Sequence, residues 1–222
     1  MGFQPGARLY GHEILDLGTA SDHEVRRSLS DLRRINSWLG GRRVLGKLLS
    51  EQLQRTGLST FTMLDVGTGS GDLPEYVARR FRARIVGMDR QLRHLREGRG
   101  GWTPLCADMR QLPFAPRSFD FVTASLVLHH FEDSDAAELL ARLAGLARHA
   151  LLVNDLERHE WAWRFIRHAP LFCEVSRVDG EVSVQQAFTA DELASLARRA
   201  GLARFRVRRH IPFRLSLAVE LP

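Results

Sequence analysis

The chain has 222 residues, 44% of them apolar and 26% charged, with a net charge of +6, which leaves room for one α/β domain with a sizeable core. No apolar run nears the roughly 20 residues of a membrane span, the first residues lack the order of a secretory signal or a myristoylation site, and two cysteines, Cys106 and Cys173, exclude a disulfide framework and suit a cytoplasmic protein. The pI near 10.5 invites a nucleic-acid partner, but Lys47 is the only lysine and the arginines are scattered, twelve of them in six pairs, rather than massed in one tail, so solvated helix faces are expected and nucleic acid is not.

Along the chain, the first 20 residues read as loop. Apolar residues at Val25, Leu29, Leu32, Ile35 and Leu39 form a helical stripe, with Ser21 and Glu24 as a capping box and Gly40-Gly41 as its stop. A second helix runs over about Arg42 to Gln54. Alternating units follow: strand "FTMLDV", helix "LPEYVARRF", strand "ARIVGMD", short helix "RQLRHLREG", strand "GWTPLCAD", strand "FDFVTASLV", a helix capped by Asp133, and strand "HALLVNDL". The last helix, "TADELASLARRAG", carries a capping box of Thr189 and Glu192, and "FRVRRHI" with "FRLSLAV" reads as a terminal hairpin around Pro212. Nearly continuous apolar strands alternating with helices imply a mostly parallel sheet covered on both faces. We therefore expect an N-terminal helical extension over residues 1–56 and an α/β domain over 57–222, with an aromatic-rich insertion at 157–188.

The stretch "MLDVGTGSGDLP" places Gly67, Gly69 and Gly71 at alternate positions directly after the first strand. Such a turn either cradles a nucleotide or simply passes the chain tightly from strand to helix. Asp89, ending the second strand, lies 24 residues after Asp65, close to the offset of about 20 at which a carboxylate meets ribose hydroxyls. The spacing G-x-G-x-G differs from the dinucleotide fingerprint. Asp65 and Asp72 would also repel a pyrophosphate, which argues against a nicotinamide enzyme.

"LDVGTGSGDL", "VGMDR", "CADMRQLPFAPRSFDFVTASLVLHHF" and "LLVNDLERH" together resemble, in order, the motifs of class I S-adenosylmethionine-dependent methyltransferases of the small-molecule type, over about residues 60–220. The resemblance implies a Rossmann-like, doubly wound, seven-stranded and mostly parallel sheet with an antiparallel last strand. S-adenosylmethionine is the implied cofactor. Gly67, Thr68, Gly69 and Gly71 would pass beneath its methionine part, and Asp65 would organise that loop and face the amino group. Asp89, with Arg90 beside it, would take the ribose hydroxyls. Asp108 and Met109 would meet the adenine, and Ser125 and Leu126 would floor the site near the sulfonium.

His129 and His130, just after the fourth strand, are candidates for a general base acting on a phenol or alcohol oxygen. No metal is expected, because the fourth strand ends in "TASL" without a carboxylate. Trp38, Asn154, Asp155 and Trp161 are candidates to meet the acceptor, Trp163, Phe165 and Phe172 to join the two tryptophans in an aromatic lid over it, and Arg33, Arg34 and Arg43 to reach the cofactor carboxylate. The expected activity is metal-independent methyl transfer to a small molecule, on the oxygen of a phenolic or polyketide-like acceptor of secondary metabolism. RNA methylation and N- or C-methylation of a small molecule are the competing readings. These motifs carry no information on oligomeric state.

Overall fold

A computed structural model describes residues 2–222. Seven strands, β1 (Phe61–Val66), β2 (Ala83–Asp89), β3 (Thr103–Cys106), β4 (Phe119–Ser125), β5 (Ala147–Leu156), β6 (Phe205–His210) and β7 (Arg214–Glu220), form one sheet in the order β3-β2-β1-β4-β5-β7-β6. The pairs among β1 to β5 are parallel, while β7 runs antiparallel to both β5 and β6. The expected fold class and terminal hairpin are therefore present. β1 and β4 are buried on both faces, with Met63, Leu64, Phe121 and Val122 fully enclosed, which is why both read as continuous apolar runs.

The helices are α1 (Ile14–Leu17), α2 (Asp22–Trp38), α3 (Gly41–Thr56), α4 (Asp72–Arg80), α5 (Leu92–Leu95), α6 (Asp133–Leu146), α7 (Glu160–Arg167), α8 (Glu174–Gln186) and α9 (Ala190–Arg199). Leu140 and Leu143 of α6 and Leu193 and Leu196 of α9 pack on one face of the sheet. Leu45 and Leu49 of α3 and Leu73 and Val77 of α4 pack on the other. Both capping boxes form, at Ser21 with Glu24 and at Thr189 with Glu192.

Two local expectations are corrected. Asp133 does not cap α6: it is the first helical residue, and Glu132 occupies the cap position without a side-chain bond. The N-terminal stretch is not all loop, because Ile14–Leu17 forms α1. That turn carries too few residues for a periodic signal. It is held by tertiary contact instead: the Asp179 carboxylate on α8 accepts from the amides of Ile14 at 2.7 Å and Leu15 at 3.1 Å. Leu15, Val25, Leu29 and Val175 then bury a small apolar cluster joining α1, α2 and α8.

The chain leaves β1 toward β2 on one side and finds β4 on the other. The carboxyl ends of β1 and β4 thus meet at a topological switch point, where such sheets open a crevice.

Candidate active site

The loop after β1 is shaped by its glycines. Gly67 and Gly71 adopt φ of 69° and 72°, a region that L side chains rarely occupy. A β-carbon at Gly67 would collide with Val127, and one at Gly71 with the ring of Trp102. Beneath the loop, Asp65 is buried and accepts from Thr123 Oγ1 at 2.6 Å and Thr68 Oγ1 at 2.8 Å. Burial pushes its carboxyl up to about 6 in spite of the two hydroxyls. From above, Arg33 on α2 forks onto Glu75 at 2.8 and 3.1 Å and donates to the Ser70 carbonyl at 2.6 Å.

Two cavities open at this edge of the sheet. One, of about 440 Å³, is lined by Gly67, Gly69, Asp89, His94, Asp108 and Met109 among others. The second, of about 250 Å³, lies beneath α2, α7 and α8 and is mostly apolar, with Ile35, Leu39, Phe165, Ile166 and Phe213 in its wall. Glu13, Leu15, Leu32, Gly67, Leu126 and His130 line both cavities, so the two meet there. Leu126 holds φ of 57° at this junction, an uncommon conformation for a non-glycine residue that clusters at functional sites. In the wall of the second cavity, the buried Arg214 donates to Asn36 Oδ1 at 3.1 Å, while its other terminal nitrogen and Ser125 Oγ have no hydrogen-bond partner among the described residues.

The ring of His129 is buried and turned toward two carboxylates. Its Nδ1 lies 2.6 Å from Asp155 Oδ1 and its Nε2 3.5 Å from Glu13 Oε1. Asp155 is fixed in turn by the amides of Leu128 at 3.0 Å and Leu156 at 2.8 Å. Burial alone would lower the histidine, but Asp155 and Glu13 overcome it and lift His129 to about 10. His130 is freer, with Nδ1 at 3.1 Å from Asp16 Oδ2 and 3.8 Å from Glu13 Oε1.

Comparison with known proteins agrees with this geometry. Residues 63–149 match the family of methyltransferase domains. That match runs from β1 into the start of β5. A stretch of 92 residues, 38% of the chain, is 36% identical to the malonyl-[acyl-carrier protein] O-methyltransferase of Legionella pneumophila (strain Philadelphia 1), and it spans only 32% of that protein. The plantazolicin methyltransferase BpumL, in complex with S-adenosylhomocysteine, superposes with a TM-score of 0.68 at 15% identity, over 90% of this chain and 96% of that one. Human N-acetylserotonin methyltransferase, in complex with S-adenosylmethionine, gives 0.68 at 18% identity, over 95% and 62% of the respective chains. At these identities the two structural likenesses are likenesses of fold.

The sequence-predicted residues that gather at this edge of the sheet fall into three groups. Gly67, Gly69, Asp89, Arg90, Asp108, Met109 and Leu126 line the larger cavity, and Ser125, Leu126, His129 and His130 the smaller. Asp89 accepts from Gly69 N at 2.9 Å and Gln91 N at 2.8 Å, and the exposed Asp108 accepts from Arg110 N at 2.8 Å. Asp65, Thr68 and Gly71 sit behind the loop and shape it without lining either cavity.

The remaining candidates are placed elsewhere. Trp38 and Trp161 are 64% and 62% exposed and line neither cavity; of the aromatic candidates Phe165 does line the smaller one, joined there by Phe213. Asn154 is fully buried against the Gly41 carbonyl, and Asp155 holds His129 rather than facing an acceptor. Arg33, Arg34 and Arg43 are engaged with Glu75, Asp31 and the Ile211 carbonyl. His129 keeps a carboxylate at each ring nitrogen. Sequence reading missed Glu13, Asp16, His94 and Arg214, whose local patterns give no cue beyond an acidic pair three residues apart in "HEILD".

Proposed function

We propose that this methyltransferase moves a methyl group from S-adenosylmethionine to the oxygen of a small, largely apolar acceptor of phenolic or polyketide-like kind. The observation that carries this reading is the pair of cavities meeting at Gly67, Leu126 and His130, one lined by the motif residues and one mostly apolar.

The larger cavity suits the family's cofactor, since Gly67 and Gly69 bring bare backbone to its wall and a carboxylate stands at the end of β2. Gly67 and Gly69 would flank the methionine part, Asp89 would receive the ribose hydroxyls, and Asp108 the adenine amino group. When bound, the cofactor supplies an electrophilic methyl on a sulfonium. The protein's part is to align the acceptor with that methyl and to exclude water. α2, α7 and α8 cover the acceptor cavity, and buried Arg214, a cation near neutral pH although burial lowers it to about 10, favours an acceptor with acidic character. The name of the Legionella relative, an O-methyltransferase, supports oxygen as the target.

Calorimetric titration with S-adenosylhomocysteine, followed by turnover assays across phenols and short polyketides, tests the reading. Submicromolar to micromolar binding with methyl ether formation is expected. Failure to bind S-adenosylhomocysteine would overturn it, and product methylated only at nitrogen or carbon would replace the acceptor class.

A further inference from the structure

We propose that Glu13, His129 and His130 bind a divalent transition-metal ion where the two cavities meet, with Asp16 completing the ligand set. The donor atoms Glu13 Oε1, His129 Nε2 and His130 Nδ1 all lie within 4.8 Å of one another. Glu13 Oε1 is 3.5 Å from the first histidine nitrogen and 3.8 Å from the second, and His130 Nδ1 is 3.1 Å from Asp16 Oδ2. Charge-assisted hydrogen bonds close to about 2.7 to 2.9 Å, so the Glu13 separations are long for direct pairing. Ligands about 2.1 Å from a common ion stand about 3.0 to 3.5 Å apart, which a small side-chain adjustment reaches from here.

The surroundings are those of a metal-binding histidine. Asp155 sits on Nδ1 of His129 at 2.6 Å, and its own oxygens are fixed by two backbone amides. A carboxylate on the far nitrogen sets the tautomer that turns the Nε2 lone pair to an ion. The charge balance also favours a cation. Glu13, Asp16 and Asp155 converge on the two imidazoles. Of the nearby arginines, Arg90 pairs with Asp16 at 2.9 Å, and Arg8 donates to the carbonyls of His129 and Phe131. Asp179 faces the same turn, accepting from the Ile14 and Leu15 amides.

Two imidazoles with carboxylate oxygen suit zinc or ferrous iron rather than magnesium, and such a set leaves coordination positions open. Because Glu13 and His130 line both cavities, an open position lies where an acceptor oxygen must stand. The ion would place and polarise that oxygen; this role rests on the function proposed above, whereas the binding itself does not. The expectation of metal-free chemistry came from the missing carboxylate at the end of β4. The carboxylates arrive instead from the N-terminal segment around α1, which the fold folds back over the histidines.

The experiment uses the full chain, stripped with EDTA and dialysed, and titrated with Zn²⁺ alone by calorimetry and with Co²⁺ by visible absorption. One Zn²⁺ per chain and a cobalt ligand-field band are expected. Glu13→Gln and His130→Ala should each weaken Zn²⁺ at least about 10- to 100-fold, the loss known for outer-shell partners alone, while the circular dichroism spectrum stays unchanged. His130 is part-exposed, so its variant tests the site without loss of core. No stoichiometric Zn²⁺ binding, or equal affinity in both variants, would overturn the proposal. Zn²⁺ binding without any S-adenosylhomocysteine binding would instead sink the functional reading and leave the metal site standing.

Discussion

The Asp89 carboxylate accepts a hydrogen bond from the Gly69 amide at 2.9 Å, tying the end of β2 to the middle of the glycine loop that follows β1. One residue thus both holds the loop and presents its charge to the larger cavity. Asp89→Ala removes the anchor and the acceptor for ribose hydroxyls together. Each hydrogen bond to a charged group is worth about 1.5 to 3 kcal/mol, so S-adenosylhomocysteine affinity should fall about 100-fold or more by calorimetry. Unchanged affinity would remove Asp89 from the cofactor site.

Gly71 caps α4 at φ of 72°, with the Trp102 ring against the place where a β-carbon would sit. Gly71→Ala must therefore strain the backbone and displace an indole packed in the core. We expect a loss of about 2 kcal/mol or more in urea unfolding. A loss below about 0.5 kcal/mol would mean that the loop relaxes freely.

Asp65 has its carboxyl raised from 3.8 to about 6 by burial. The folded state therefore holds this proton more tightly than the unfolded state. Its contribution favours folding at low pH and is lost as pH rises from about 4 to about 6, by about 3 kcal/mol. Asp65→Asn keeps an acceptor for Thr123 and a donor toward Thr68 while removing the titration. Its unfolding free energy should lack that downward component between pH 4 and 6, and a wild-type-like profile would count against the assignment.

Phe165 lines the apolar cavity, whereas Trp161, four residues earlier and also on α7, does not. Phe165→Ala should raise KM for a phenolic acceptor about tenfold, the scale of one to two kcal/mol of lost apolar burial, with S-adenosylhomocysteine affinity intact. Trp161→Ala should leave both unchanged. A larger effect from Trp161 than from Phe165 in steady-state kinetics would show that α7 closes in a different orientation.

What the amino-acid sequence determined alone is the local part of the protein. The strand β1, its three glycines and the helix after them are contiguous, so one stretch carries the apolar run, the backbone freedom and the helix start together. The parallel strands, both capping boxes and the terminal hairpin were legible for the same reason: each signal is complete within a few residues. Gly67, Gly69, Asp89, Asp108 and Met109 of the larger cavity followed, because they sit at or just beyond the ends of those strands.

Only the tertiary structure decided the rest. Glu13 and Asp16 come from a turn too short to show a period, and they reach the histidines after β4 because Asp179 on α8 holds that turn's amides. The same packing sends Arg33 to Glu75 and leaves Trp38 and Trp161 outside. A residue's type states which partners it can satisfy. Which partner it meets depends on contacts between segments far apart in the chain, and these are set by the burial of the whole sheet and its helices rather than by any local pattern.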